Sequence, residues 1–297
     1  MTRNINIQID KLKRDCLFRY RDFNNNTINE LLTGNIWHSK PEFLNDPFEF
    51  HFEFDWDEFS IKNLAAINNE WKLIPQIYLE NLYLGDRSYL EHFFKSLKKQ
   101  VNLIIENQRA TFNEQSYVCC FSSNIDSPLM WSHYANGMQG ICIAYKEQAI
   151  SASEDFGMTV PVDYVNSPKK ITYRNLEATS SLSEAQPIHD FANAIQPISH
   201  YITFNIQFTN YEFLIQKHKR WEYEGEYRHI AIGSKDNGSV GCVKNVENAI
   251  EAVIFGFRIS PTNLTVLELI CRKNGIRMYK ATPNKSDYSV AIEEHIY

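Results

Sequence analysis

The chain has 297 residues, 43% hydrophobic side chains and a formal net charge of −6, which is enough apolar content for an ordinary core. That charge excludes a broad basic surface of the kind that grips nucleic acid by displacing phosphate counterions, so nucleic acid stays open as a partner only through a local groove. No run approaches the roughly 18 apolar residues that span a membrane, and Met1-Thr2-Arg3-Asn4 lacks the apolar core of a secretion signal, so the expectation is a cytoplasmic chain with no membrane partner.

Residues 1–15 are polar and of mixed charge, a short helix or a loose arm. Cys16-Leu17-Phe18-Arg19-Tyr20-Arg21 predicts a strand with Arg19 and Arg21 on one face. Asn24 to Asn26 break the chain and can cap a helix over Thr27–Thr33, closed by Gly34. A short strand, Ile36 to Ser39, leads to the loop Pro41-Glu42-Phe43-Leu44-Asn45-Asp46-Pro47-Phe48-Glu49, whose Asn-Asp-Pro centre signals a turn.

Between residues 55 and 113 the pattern becomes helical. Leu90, Phe93, Phe94, Leu97, Val101, Ile104 and Ile105 recur at spacings of three and four and make one apolar stripe. Strand character resumes at Tyr117 to Ser122. Ser127-Pro128 then opens a short helix carrying Met130, Trp131, His133 and Tyr134, and Gly140 to Tyr145 and Val160 to Val165 read as strands. Residues 166–190 read as a surface loop and 191–218 as a helix. Glu251 to Gly256, Leu264 to Asn274 and Ile276 to Lys280 predict strand, helix and strand.

The stretch Trp221-Glu222-Tyr223-Glu224-Gly225-Glu226-Tyr227-Arg228 alternates at period two, and read as a strand it has one aromatic face and one ionised face. Three carboxylates spaced two apart repel one another unless cations or a ligand stand opposite. Arg19 and Arg21 are the candidates for that role, either as an internal ion-pair network or around a ligand. A solvated edge strand offset by Arg228 is the plain alternative. The six cysteines have no CxxC spacing and the nine histidines no HExxH arrangement, so buried thiols and no metal site are expected.

Four segments together resemble the bacterial DUF2971 family: Leu17 to Arg21, Asn45 to Glu49, Met130 to Ala135 with Gly140-Ile141, and Trp221-x-x-Glu224-x-Glu226-x-Arg228. A more distant resemblance is to ADP-ribosyltransferases, whose split β-sheet binds NAD. The element pattern, with no internal repeat and no low-complexity linker, predicts a single α+β domain over residues 1–297 (core 16–50 and 115–280) with a helical insertion over 55–113, and the resemblance implies a split, largely antiparallel sheet within it. Carried over, Arg21 or Arg19 matches the early-strand arginine, Ser122 or Tyr134 the middle residue, and Glu226 with Glu224 the late Glu-x-Glu.

The resemblance implies NAD as substrate, a small-molecule nucleotide whose acceptor is unnamed. Breaking its nicotinamide–ribose bond develops oxocarbenium character, so a carboxylate beside the ribose gains rate. Glu226 is expected in that place, Glu224 at the acceptor, and Arg21 at the ribose or pyrophosphate. Arg19, Tyr20, Asn45, Asp46, Ser122, Trp131, His133, Tyr134 and Arg228 are expected to line the cofactor. Enzymes of this kind often act as toxins or phage-defence effectors. Two other functions fit the same residues: a non-catalytic nucleotide- or protein-binding module, and a metal-dependent nuclease using Asp46, Glu49, Glu224 and Glu226.

Overall fold

The computed structural model describes residues 2–72, 87–151, 157–182, 202–209, 211–233, 241–246 and 248–296. Two compact units divide the chain: Met1–Glu49, Asn113–Asn166 and Ile215–Tyr297 make the first, and Phe50–Phe112 with Ser167–Leu214 the second.

The first unit is mixed α/β around a ten-stranded, largely antiparallel sheet. Its strands lie in the order Gly241–Asn245, Asn35–Ser39, Ser116–Ser122, Cys16–Arg21, Ile141–Lys146, Ile250–Gly256, Arg277–Asn284 and Ser289–His295, and Glu226–Ile232 pairs with both Ser116–Ser122 and Met158–Pro161. Within this sheet, among the described residues, Ile250–Gly256 and Arg277–Asn284 run parallel and are joined by the helix Pro261–Asn274, as a parallel connection requires.

Local signals account for the early elements. Asn24 accepts hydrogen bonds from the backbone N–H groups of Asn26 and Thr27 and starts the helix Asn25–Thr33, which Gly34 ends at φ 70°. Alternation along Cys16–Arg21 then divides the core in two. Leu17, with Cys119, Phe121, Ile143 and Val253, packs against Leu31 and Leu267 on one face. Phe18 and Tyr20, with Cys142 and Ala144, pack against Leu12 and Trp131 on the other. Burial of each Leu, Ile, Val or Phe side chain among these contributes about 1.5–3 kcal/mol.

Register decides which charged groups can meet. Phe18 and Glu226 both stand opposite Ser122, so they project from the same face of the sheet. Arg19 and Arg21 therefore project from the other face.

In the second unit the apolar stripe is realised: Leu90, Phe93, Phe94, Leu97, Val101 and Ile105 are buried along the helix Arg87–Gln115. Leu176–Leu182 and Ile202–Phe208 form an antiparallel pair, and Phe52, Phe208 and Phe213 pack edge-on or tilted, 4.9–5.5 Å apart.

Three expectations are corrected. Lys170–Ile171 and Leu176–Leu182 are strands where a loop was expected over 166–190, of which 183–190 lie outside the described residues. Ile202–Phe208 and Gln216–His218 are strands where a helix was expected over 191–218, of which 191–201 and 210 lie outside the described residues. The reason is visible in Ile202-Thr203-Phe204-Asn205-Ile206-Gln207-Phe208, which alternates at period two. Finally, the strand expected over Trp221–Arg228 begins only at Glu226: Lys219–Glu224 is a 3₁₀ helix, closed by Gly225 at φ 51°. A side chain at Gly225 would place its Cβ 2.5 Å from Ser123 Oγ, so only glycine suits this corner.

Candidate functional site

Turning the chain at Gly225 brings Glu224 and Glu226 to one side, where they meet a cation that the sequence reading missed. Lys217, on the strand Gln216–His218, pairs in parallel with Asp163–Val165 and points its Nζ between the two carboxylates. The ammonium donates to Glu224 Oε2 at 2.6 Å and to Glu226 Oε2 at 2.7 Å. Arg228 Nε donates to Glu226 Oε1 at 2.8 Å, and Arg228 Nη2 lies 2.7 Å from Glu49 Oε2. The result is one continuous chain of alternating charge, Glu224–Lys217–Glu226–Arg228–Glu49, in which no side chain is more than 5% exposed.

Such charges persist in a low-dielectric interior only when each is matched by opposite charge or hydrogen bonds. Burial alone would push the Glu226 carboxyl up, but Arg228 and Lys217 outweigh it and hold it down to about 2. Burial opposes the charged forms of Lys217 and Arg228 as well, yet Glu226 with Glu224, and Glu226 with Glu49, hold both cations above their ordinary values. Glu49 behaves differently. Burial pushes it up to about 7 because Arg228 offsets burial only in part and Glu226 works against it.

The chain reaches a half-buried rim at Glu224. Tyr134 donates its hydroxyl to Glu224 Oε1 at 2.5 Å, and the exposed Asn45 donates its amide both to the Tyr134 oxygen and, at 3.5 Å, to Glu224 Oε1. Burial and the Glu224 carboxylate hold the Tyr134 phenol protonated well above its ordinary range. Around them, Trp221 and Tyr223 lie with ring centroids 6.2 Å apart, the exposed His133 lies 6.2 Å from Tyr223, and Lys217 sits 5.0 Å from the Trp221 ring centre.

The remaining expected site residues divide into supports and bystanders. Ser122 is buried and donates Oγ to the Glu224 carbonyl at 2.5 Å, which fixes the backbone of the corner. Tyr164, which the sequence reading also missed, accepts the Glu226 N–H at 2.8 Å. Tyr20 and Trp131 are core: their rings meet edge to face at 5.3 Å, Tyr20 donates to the Asn124 carbonyl and Trp131 to the Ile125 carbonyl. Asp46 is buried and accepts the Phe48 N–H at 3.0 Å, shaping the turn that delivers Asn45 and Glu49.

The structure does not bring Arg19 and Arg21 to this site. Arg19 Nη1 donates to Glu30 at 3.0 Å, Arg21 Nε lies 3.7 Å from the same carboxylate, and Tyr145 donates to it at 2.6 Å. The expected pairing of those arginines with Glu224 or Glu226 is thus replaced by Glu30 on the opposite face. Among the described residues, no group of three or more His, Cys, Asp or Glu is arranged to hold a metal ion.

A family model described as a protein of unknown function (DUF2971) matches residues 130–229, and over this stretch the chain is similar to that family. The matched stretch carries Tyr134, Lys217, Trp221, Tyr223, Glu224, Glu226 and Arg228, whereas Asn45 and Glu49 lie outside it. No curated protein and no solved structure matches the chain.

Proposed function

We propose that the chain binds a nucleotide, with NAD the first to test, on the rim formed by Tyr134, Tyr223 and Trp221 above Glu224, and that it breaks the nicotinamide–ribose bond there as an ADP-ribosyltransferase or NAD glycohydrolase does. The observation that supports this reading is the unequal placing of the two carboxylates. Glu224 Oε1 faces the rim with Tyr134 and Asn45 on it, while both oxygens of Glu226 are taken by Arg228 and Lys217.

The roles expected from the sequence therefore exchange. Glu224 is the carboxylate that stands beside the ribose as positive character develops, and Glu226 is a positioning residue that acts through Lys217. The aromatic rings offer stacking surface to a base or nicotinamide, and the exposed Arg220, on the same 3₁₀ helix as Trp221 and Tyr223, offers a cation to phosphate. Nicotinamide release from NAD, followed by chromatography, tests the reading. Wild-type turnover should fall by at least about a hundredfold in Glu224→Gln, a loss of the size seen when one electrostatic stabiliser of a transition state is removed.

One observation favours a second reading, binding without reaction. Every carboxylate oxygen of Glu224 and Glu226 has a donor within the chain, so the site is satisfied without a substrate. NAD raising the melting temperature with no nicotinamide released would select this reading.

A further inference from the structure

The buried chain carries three carboxylates and two cations, so one negative charge is in excess when all five groups are ionised. Both ends of the chain are carboxylates, and their surroundings differ. Glu224 receives Lys217, the Tyr134 hydroxyl and the Asn45 amide. Glu49 has its ion pair with Arg228, and among the described residues neither of its oxygens makes a well-directed hydrogen bond, although its side chain is only 3% exposed. The charged groups facing it are Arg228, Glu226 and Lys217 from the chain, Asp46 from its own turn, and the Cys120 thiol beneath Arg228.

Resting on the nucleotide reading above, we propose that Glu49 holds the one proton that balances this chain, and that binding of an anionic nucleotide at the Glu224 end is coupled to proton uptake at Glu49. Two arguments carry it. The excess charge is removed at the carboxylate with the fewest donors, Glu49, whose one cation, Arg228, is shared with Glu226, because a buried ion so weakly matched costs more to keep charged than to protonate. In addition, buried charges in contact are poorly screened by salt, so negative charge brought to one end is felt along the chain. Glu49 then acts as a positioning residue through Arg228 and Glu226, without touching the ligand. Its carboxyl value of about 7 places the exchange at neutral pH.

The sign follows from linkage. The folded-state value lies above the ordinary 4.5, so the stability tied to this proton is fully present below about 4.5 and is lost as pH rises through about 7. Glu49→Gln mimics the protonated form and has no such loss. Urea unfolding between about pH 5 and about pH 8 should show wild type losing stability relative to Glu49→Gln, by up to tenfold in folding constant per pH unit. A gap independent of pH would overturn the proposal, and Glu49→Asp, which keeps a titrating group, should restore the slope.

The coupling is read by calorimetry of NAD binding in two buffers of different ionisation enthalpy. Proton uptake should appear in wild type and vanish in Glu49→Gln, with wild-type affinity falling as pH rises through about 7. Binding without proton uptake overturns the coupling. Absence of NAD binding overturns the nucleotide reading and the coupling with it, while the unfolding series still decides whether Glu49 holds the proton.

Discussion

Lys217 Nζ lies 2.7 Å from a Glu226 carboxylate oxygen, and each of the two side chains is only 2% exposed. A contact this dry is costly to assemble, because both ions are taken out of water, and costlier to break from one side. Since the same ammonium also holds Glu224, it is the group that joins the sealed part of the chain to the rim.

Lys217→Met should therefore leave two buried carboxylates without their shared cation and cost about 3–5 kcal/mol, the range for removing one partner of a buried pair. Urea denaturation measures this directly. A loss below about 1 kcal/mol, typical of an exposed pair, would show that the chain of charges is not buried as described.

Acid should weaken the protein through Glu226. Its folded-state value of about 2 lies below the ordinary 4.5, so its contribution is fully present above about 4.5 and is lost as pH falls through about 2. The direction is opposite to that of Glu49. Glu226→Gln should flatten this acid limb, and an acid limb as steep as that of wild type would assign the acid sensitivity to other carboxylates.

The sequence made some of these features legible and hid others for definable reasons. The strand Cys16–Arg21, its capped helix and the helix Pro261–Asn274 announce themselves through alternation, an asparagine cap and terminal glycines, all of which are local. Glu224 and Glu226 were visible as crowded carboxylates, and their need for opposing cations was correct. Which cations answer that need was not visible. Arg19 and Arg21 share a face within their own strand, but their side relative to Glu226 depends on register with a third strand at Ser122. Lys217 sat in a stretch read as helix, and period-two alternation across Trp221 to Arg228 concealed a 3₁₀ turn whose only sequence mark is Gly225.

The measurement that tests the account most directly is calorimetric titration of NAD into wild type, Glu224→Gln and Glu30→Gln, which place one altered carboxylate on each face of the sheet. The account predicts that NAD binds wild type, that Glu224→Gln weakens it at least about tenfold, roughly the 1.4 kcal/mol expected for a lost charged hydrogen bond, and that Glu30→Gln leaves affinity unchanged at a temperature where it is folded. Equal affinity in Glu224→Gln would contradict the account, and loss in Glu30→Gln alone would move the site to the arginine face.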